Sequence, residues 1–238
     1  MKRYGENRTA SEKKRLDDRG AALVTVIVVV VVLSILATTF LYISGMNYFM
    51  KITDLKTKES FYEAETALEE VKAELMELAS EAGKEAYSEV MISYASVDSF
   101  TRYSLYQTAF FAKLQELWEA KRGDPAAPLT YLQVLQTMVD PAYSSSIMLS
   151  ADPSAGQIDV SHVDEGYALL KGIVLEYTDA NGYTTIISTD YLISVPTVDW
   201  SVNQAYADWS DGVFSPEKLK RGNVDLSECV QYYNWVKK

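Results

Sequence analysis

Polar and apolar positions change regime several times along this chain. Residues 1–20 are polar and charged, whereas Ala21–Ile43 holds no charged side chain, its only polar members being Thr25, Ser34, Thr38, Thr39 and Tyr42. At about 1.5 Å of rise per residue that run reaches roughly 35 Å, enough to cross a hydrocarbon core of about 30 Å with some tilt. Beyond it only Gly45 interrupts, and Asn47–Met91, rich in Ala, Glu, Lys and Leu, predicts one long amphipathic helix. Phe61, Ala64, Leu68, Val71, Leu75, Leu78 and Ala82 advance in steps of three and four, a narrow apolar seam of the heptad kind. The seam requires a partner, either a head folded from the rest of the chain or a second copy in a coiled coil. Glu63, Glu69, Glu70, Glu74, Glu77, Glu81 and Glu85 occupy the other face, where solvation is expected.

From Ser93 the helical signals become less regular. Tyr103–Arg122 has apolar residues on a helical period and basic residues at its end, where they suit the helix dipole. Gly123–Pro128 then breaks the pattern, and Leu129–Val139 predicts a further short helix. Strand signals start near Ser146. The segments SSIMLSAD and GQIDVSHV are candidate strands, and Tyr167–Val195 predicts a hairpin turned at Asn181-Gly182. The tail, Pro196–Lys238, concentrates Trp200, Tyr206, Trp209, Tyr232, Tyr233 and Trp235, with a short helix expected from about Leu226. Such an aromatic cluster suits an interface or the closing of a small core.

The expectation is an α+β fold: a long N-terminal transmembrane and amphipathic helix packed on a helical insertion and a small antiparallel sheet. The segments are a basic leader (1–20), a membrane helix (21–44), its amphipathic continuation (45–92), a helical insertion (93–145) and a β head with an aromatic tail (146–238).

Charge adds direction. Residues 1–20 hold seven basic and four acidic side chains, which leaves −14 for the remainder of a chain whose net charge is −11. Lys13, Lys14, Arg15 and Arg19 just before the apolar run keep the N-terminus cytoplasmic by the positive-inside rule and export the chain beyond Ser44. An acidic exported domain repels phosphates, so no direct contact with nucleic acid is expected.

Catalytic chemistry is hard to find in the sequence. His162 is the sole histidine, and Ser161 precedes it in a predicted strand, where neighbours face opposite ways and cannot act as nucleophile and base. Phosphate-binding glycine loops and paired-cysteine metal motifs are absent, so neither an enzyme nor a cofactor is expected. Asp152, Asp159, Asp164 and Glu165 cluster in sequence, with Asp179 and Asn181 in the hairpin turn. Calcium takes such oxygen ligands, but the spacing matches no EF-hand, and Asp and Asn populate turns for backbone reasons alone. Cys229 is the single cysteine, open to pairing between chains, to lipidation, or to simple burial as a small apolar residue.

Three readings of the apolar run compete: a secretory signal peptide, for which it is long, a permanent single-pass anchor, and a processed filament helix. The third comes from a resemblance. A basic leader, the dipeptide Arg19-Gly20 and an uninterrupted apolar helix resemble the class III signal of type IV pilins and pseudopilins. The resemblance implies that a prepilin peptidase cuts between Gly20 and Ala21, leaving a chain that begins AALVTVIVVV. Most pilins carry an aromatic first residue and a fifth-position glutamate, whereas Ala21 and Thr25 stand here, a departure similar to PilX-type minor pilins. The segment ESFYEAETALEEVKAEL, through Phe61, Ala64, Glu65, Ala67 and Leu68, also looks like the PilX type.

That likeness spans about residues 15–75 and implies a minor pilin that initiates or caps a type IV pilus or related filament. It further implies that Ala21, Val24, Thr25, Val28 and Val32 pack against neighbouring helices. The implied partners are the prepilin peptidase, major and other minor pilins and an inner-membrane assembly platform. A lone carboxylate in lipid costs several kcal/mol unless paired, and Thr25 cannot form the ion pair that the family's glutamate makes with a neighbour's amino terminus. Such a subunit suits a tip or a starting point better than a shaft. Alternatively, Thr25 is a lipid-compatible residue whose hydroxyl bonds back to its own helix, and the chain is an uncleaved, membrane-anchored extracytoplasmic binding or sensing domain.

Overall fold

The structure, a computed structural model, describes residues 6–93, 97–198 and 224–237. It divides into two compact units, Met1–Lys56 and Thr57–Lys238, and one helix, α1 (Glu6–Ser93), contributes to both. Gly45 lies within α1 and does not interrupt it.

In the first unit the large apolar side chains between Leu23 and Ile43 stand 48–74% exposed on all sides of the helix. That is far more apolar surface than water tolerates on a soluble face. Among the described residues one helix, Gly20–Ile92, is long and apolar enough to cross a membrane, with a window of mean hydropathy 3.0 near its start. Four of its hydroxyls are satisfied locally: Thr25 donates to the Ala21 carbonyl at 2.9 Å, and Ser34, Thr38 and Thr39 each donate four residues back at 2.8 Å. No polar group of these side chains therefore needs water.

The second unit is α+β. Its part of α1 packs with α2 (Ser99–Ala120), α3 (Tyr131–Thr137) and a five-stranded antiparallel sheet. The strands are β1 (Ile147–Leu149), β2 (Ile158–Asp159), β3 (Tyr167–Thr178), β4 (Thr184–Ser194) and β7 (Val230–Lys237). Both β1 and β2 pair with β3, β3 pairs with β4, and β4 pairs with β7. A separate short pair joins β5 (Thr197–Val198) to β6 (Val224–Asp225).

The helical seam is buried. Ala64, Leu68, Val71, Leu75, Leu78 and Ala82 are at most 3% exposed, and they share a core with Phe110, Leu114 and Trp118 of α2 and Ile187 and Tyr191 of β4. Two hydrogen bonds fix the register of helix on sheet: the Tyr191 hydroxyl donates to the Leu68 carbonyl at 2.8 Å, and the Ser60 and Thr185 hydroxyls meet at 2.9 Å. The chain's own head thus covers the seam, and the coiled-coil alternative loses the stripe it needs.

The glutamate face is not simply solvated. Glu63 accepts the Tyr143 hydroxyl, and Glu70 accepts the Asp140 amide at 2.8 Å. Lys121 reaches Glu74 at 3.1 Å and Lys113 reaches Glu85 at 2.8 Å. Four of the seven glutamates therefore hold partners on other elements: Glu74 and Glu85 meet Lys121 and Lys113 at the end of and on α2, and Glu63 and Glu70 meet Tyr143 and Asp140 between α3 and β1. Exposed pairs of this kind stabilise little and mainly orient one element against another.

Local signals explain the element ends. Asp98 caps α2 by accepting the Thr101 amide at 2.8 Å, so the helix begins before Tyr103. It ends at Ala120 with Lys121 as its C-cap, so the basic pair follows the last turn instead of lying in it. Arg122 folds back on the Glu119 carboxylate at 2.8 Å and the Leu129 carbonyl at 2.9 Å. A capping box of Thr130 and Gln133 starts α3.

The hairpin turn is wider than the sequence predicts. Residues 179–183 form the loop: the Gly182 amide donates to Asp179 O at 3.0 Å, and only Gly182 takes a positive φ, of 84°. The short helix expected from about Leu226 is not formed; Leu226 lies in a turn and Val230–Lys237 is strand β7. Alternation of Val230 and Tyr232 toward the core, with β-branched and aromatic residues, outweighs the weak helical pattern.

Two irregularities keep the sheet's apolar side turned inward. On β3 the residues that join the core are Ala168 and Leu170, then Ile173 and Leu175, a change of parity absorbed where the register shifts between Leu170 and Ile173, while Leu169 is buried outside that core. On β7 the inward residues are Val230 and Tyr232, then Trp235, with Asn234 at φ 53° taking up the extra position. Asp190, on the strand between them, serves both sites. Its Oδ1 accepts the Gly172 amide at 2.8 Å and its Oδ2 accepts the Asn234 amide group at 2.9 Å. One carboxylate on β4 therefore braces a bulge on each neighbour.

Asp190→Ala should lower stability by about 1–3 kcal/mol, since it leaves a half-buried backbone N–H without its acceptor. Glu74→Ala, which removes one exposed ion pair, should cost about 1 kcal/mol or less. Urea unfolding of the full chain in detergent, followed by near-ultraviolet circular dichroism, measures both. Equal effects would contradict the bracing role.

Candidate functional site

The candidate site is the start of the apolar helix. Gly20 and Ala21 are exposed, nothing stands within 4 Å of a Cβ placed on Gly20, and the bond between them lies inside α1. At 100° per residue Ala21, Val24, Thr25, Val28 and Val32 fall on one side of the helix. Val24, Val28 and Val32 are 60%, 54% and 49% exposed. They form an apolar strip along one face, and only Thr25 interrupts it with a hydroxyl already bonded to Ala21 O. Such a strip is suited to contact with lipid or another apolar helix and offers no acid, base or nucleophile.

The apolar surface also runs farther than the Ala21–Ser44 segment expected from the sequence. Met46, Tyr48, Phe49 and Met50 are 44–70% exposed, and the first charged residue after Arg19 is Lys51. The uncharged run to Met50 is visible in the sequence, but Gly45 and Asn47 draw an early boundary across it.

In the head, three of the carboxylates considered for calcium, Asp152, Asp159 and Asp179, are engaged elsewhere. Asp152 Oδ1 accepts the Ser154 amide at 2.8 Å and its hydroxyl at 2.7 Å. Asp179 Oδ1 accepts the Asn181 and Tyr183 amides, each at 2.8 Å. Asp159 accepts the Ser161 amide at 2.9 Å and pairs with Lys171 at 2.5 Å, and these contacts hold its carboxyl well below the usual carboxylate range. Among the described residues no group of three or more His, Cys, Asp or Glu is placed to hold a metal ion. Turn capping, which Asp and Asn favour for backbone reasons, accounts for these positions.

Ser161 and His162 lie in a turn after β2, not in a strand as their sequence suggests. The His162 ring stacks on Tyr167 with centroids 4.9 Å apart, and its Nδ1 faces Glu165 at 3.3 Å. Cys229 is buried, its thiol pushed up to about 12 by desolvation, and its Sγ donates to Ser194 O at 3.0 Å. A thiol held protonated in this way is a structural residue and a poor nucleophile.

Of the aromatic tail, Tyr232 and Trp235 pack on the core, with ring centroids 4.7 Å apart, while Tyr233 stands 46% exposed. Trp200, Tyr206 and Trp209 lie outside the described residues.

No family model, curated protein or solved structure matches this chain. The architecture itself, a long apolar N-terminal helix followed by an antiparallel sheet, is pilin-like.

The Asp159–Lys171 pair gives a pH test. Because the folded carboxyl is held below its unfolded value of 3.8, its contribution is present above that value and lost as pH falls through the folded one. Asp159→Asn should therefore lower Tm at pH 5–8, and the difference from the unaltered chain should shrink below about pH 4. A difference independent of pH would show that the carboxylate's charge is not what matters.

Proposed function

We propose that this chain is a PilX-like minor pilin or pseudopilin that initiates or caps a type IV pilus or related filament. The observation that carries the reading is that one helix, α1, supplies both the fully apolar segment after Gly20 and the buried seam of an α+β head. Insertion would leave the basic leader in the cytoplasm, as the positive-inside rule requires, with the head exported. A prepilin peptidase would then cut between Gly20 and Ala21. The exposed strip of Ala21, Val24, Thr25, Val28 and Val32 would pack against the apolar helices of major and other minor pilins at the assembly platform.

Thr25, satisfied by its own helix, makes no demand for a partner's amino terminus. A subunit of this kind joins a filament without the ion pair that drives repeated addition, which is the physical case for a tip or an initiator. Its work would be done by packing, with no catalysis and no cofactor.

One observation favours the rival, an uncut single-pass anchor bearing a binding or sensing head. The Gly20–Ala21 bond is helical, and a peptidase needs it unwound. Glycine eases that step, because it costs a helix about 1 kcal/mol relative to alanine.

Gly20→Ala separates the readings. Co-expressed with an active prepilin peptidase, the unaltered chain should lose its leader and run shorter on a denaturing gel, while the variant should stay full length. If both remain full length, the anchor reading takes its place.

A further inference from the structure

The uncharged part of α1 is longer than a membrane requires. Gly20–Met50 contains thirty-one residues without a charge, about 46 Å of helix against a hydrocarbon core of about 30 Å. By apolarity alone the helix could slide or tilt across a surplus of about ten residues. The surplus differs in composition from the rest. Between Ala21 and Leu41 the run is aliphatic apart from a few hydroxyls and Phe40, whereas Tyr42, Asn47, Tyr48 and Phe49 crowd its far end.

The three rings Tyr42, Tyr48 and Phe49 are 68%, 63% and 70% exposed. Tyr48 and Phe49 splay apart, with centroids 6.3 Å apart in an edge-on arrangement, and Phe49 lies two turns beyond Tyr42 on nearly the same side. Rings of this kind, apolar in body and polar at the tip in tyrosine, gather at the boundary between acyl chains and headgroups. Lys51, two residues beyond Phe49, is exposed.

We infer that Tyr42, Tyr48 and Phe49 form an interfacial anchor in the headgroup layer of the bilayer face farther from Gly20, and that this anchor fixes the depth of α1. With Tyr42 at that hydrocarbon boundary, the backbones of Tyr48 and Phe49 lie about 9–10 Å beyond it and their rings, which lean toward the helix N-terminus, reach back into the headgroup layer; about twenty residues cross the core and the opposite boundary falls near Leu23. The Gly20–Ala21 bond then lies just outside the hydrocarbon, and the bilayer midplane falls near Val32. If only the uncharged run set the depth, the midplane would fall at its centre, Ile35, about 4–5 Å along the helix. The anchor depends on α1 being a membrane span and not on cleavage. Its consequence for access to Gly20–Ala21 rests on the proposed processing.

Depth is measurable on the full chain in phosphatidylcholine–phosphatidylglycerol vesicles. In a Cys229→Ser background, single cysteines replacing Leu23, Val28, Val32, Ile35, Phe40, Asn47 or Asp54 would carry a nitroxide, with oxygen and a water-soluble nickel chelate as relaxation agents. The expected profile is deepest at Val32, with Asn47 in the headgroup layer and Asp54 in water. Replacing Tyr42, Tyr48 and Phe49 together by alanine should move the maximum toward Ile35. A maximum at Ile35 in the chain with its rings intact, or a maximum unmoved by the triple change, would overturn the anchor. The intact-ring profile needs no ring substitution, so poor folding of the triple variant does not rescue the claim. With prepilin peptidase added, the triple variant should be cut several-fold more slowly. Equal cutting despite a shifted depth would overturn the link to Gly20–Ala21. If the unaltered chain is not cut at all, the proposed function fails while the depth profile stands.

Discussion

The apolar seam of α1 from Ala64 to Val90 has to be kept from water, and the second unit is arranged around that requirement. Helix α2 and the inner side of the β3–β4 hairpin supply the cover, while α3 and β7 complete the same core. At roughly 1.5–3 kcal/mol for each large apolar side chain removed from water, this burial outweighs the exposed ion pairs around it. Those pairs have a different role. Glu63, Glu70, Glu74 and Glu85 hold the segment around α2 against the same helix and fix which way it faces. Apolar burial supplies the energy, and polar contacts supply the alignment.

The same requirement explains why the sheet is irregular. A strand of twelve residues such as β3 presents one side to the helix only if its apolar positions keep a strict period of two. Ala168 and Leu170 are out of phase with Ile173 and Leu175, and the residue taken up at Gly172 restores the phase. A Cβ at Gly172 would approach Ser150 Oγ to 2.5 Å and Ala155 Cβ to 2.7 Å, so only glycine fits there at its φ of 77°. Asn234 does the equivalent on β7, and Asp190 holds both ends. Side-chain chemistry at three positions thus lets an imperfectly alternating sequence form a one-sided sheet.

Much of this is readable from the chain. The seam from Phe61 to Ala82 comes from periodicity, the apolar run from its lack of charge and the β3–β4 hairpin from apolar, β-branched runs flanking Asn181-Gly182, and together they give the α+β class. The tail misleads, since Val230–Lys237 alternates only until Asn234 and its extra residue looks like a loss of strand period. The glutamate face misleads because a charge on a helix shows exposure but not which distant residue comes to meet it. Asp190 gives no signal, for its two partners lie 18 and 44 residues away. At the candidate site the sequence carries nearly everything: exposure of Val24, Val28 and Val32 adds that their strip is uncovered, and the back-bonded hydroxyl of Thr25 adds that it is self-sufficient.

Along α1 the two kinds of apolar pattern require two kinds of cover. A one-sided seam is satisfied by the chain's own head, whereas an all-round apolar surface needs lipid or other apolar helices. In a processed filament this all-round surface would pass from lipid to the helices of other subunits once the leader is removed. Intact-mass and N-terminal peptide measurement on the native protein, taken from membranes and from a sheared surface fraction, tests this most directly. A chain beginning at Ala21, with or without an N-terminal methyl group, is expected in the sheared fraction. Leader residues 1–20 still attached in cells with an active prepilin peptidase would contradict it.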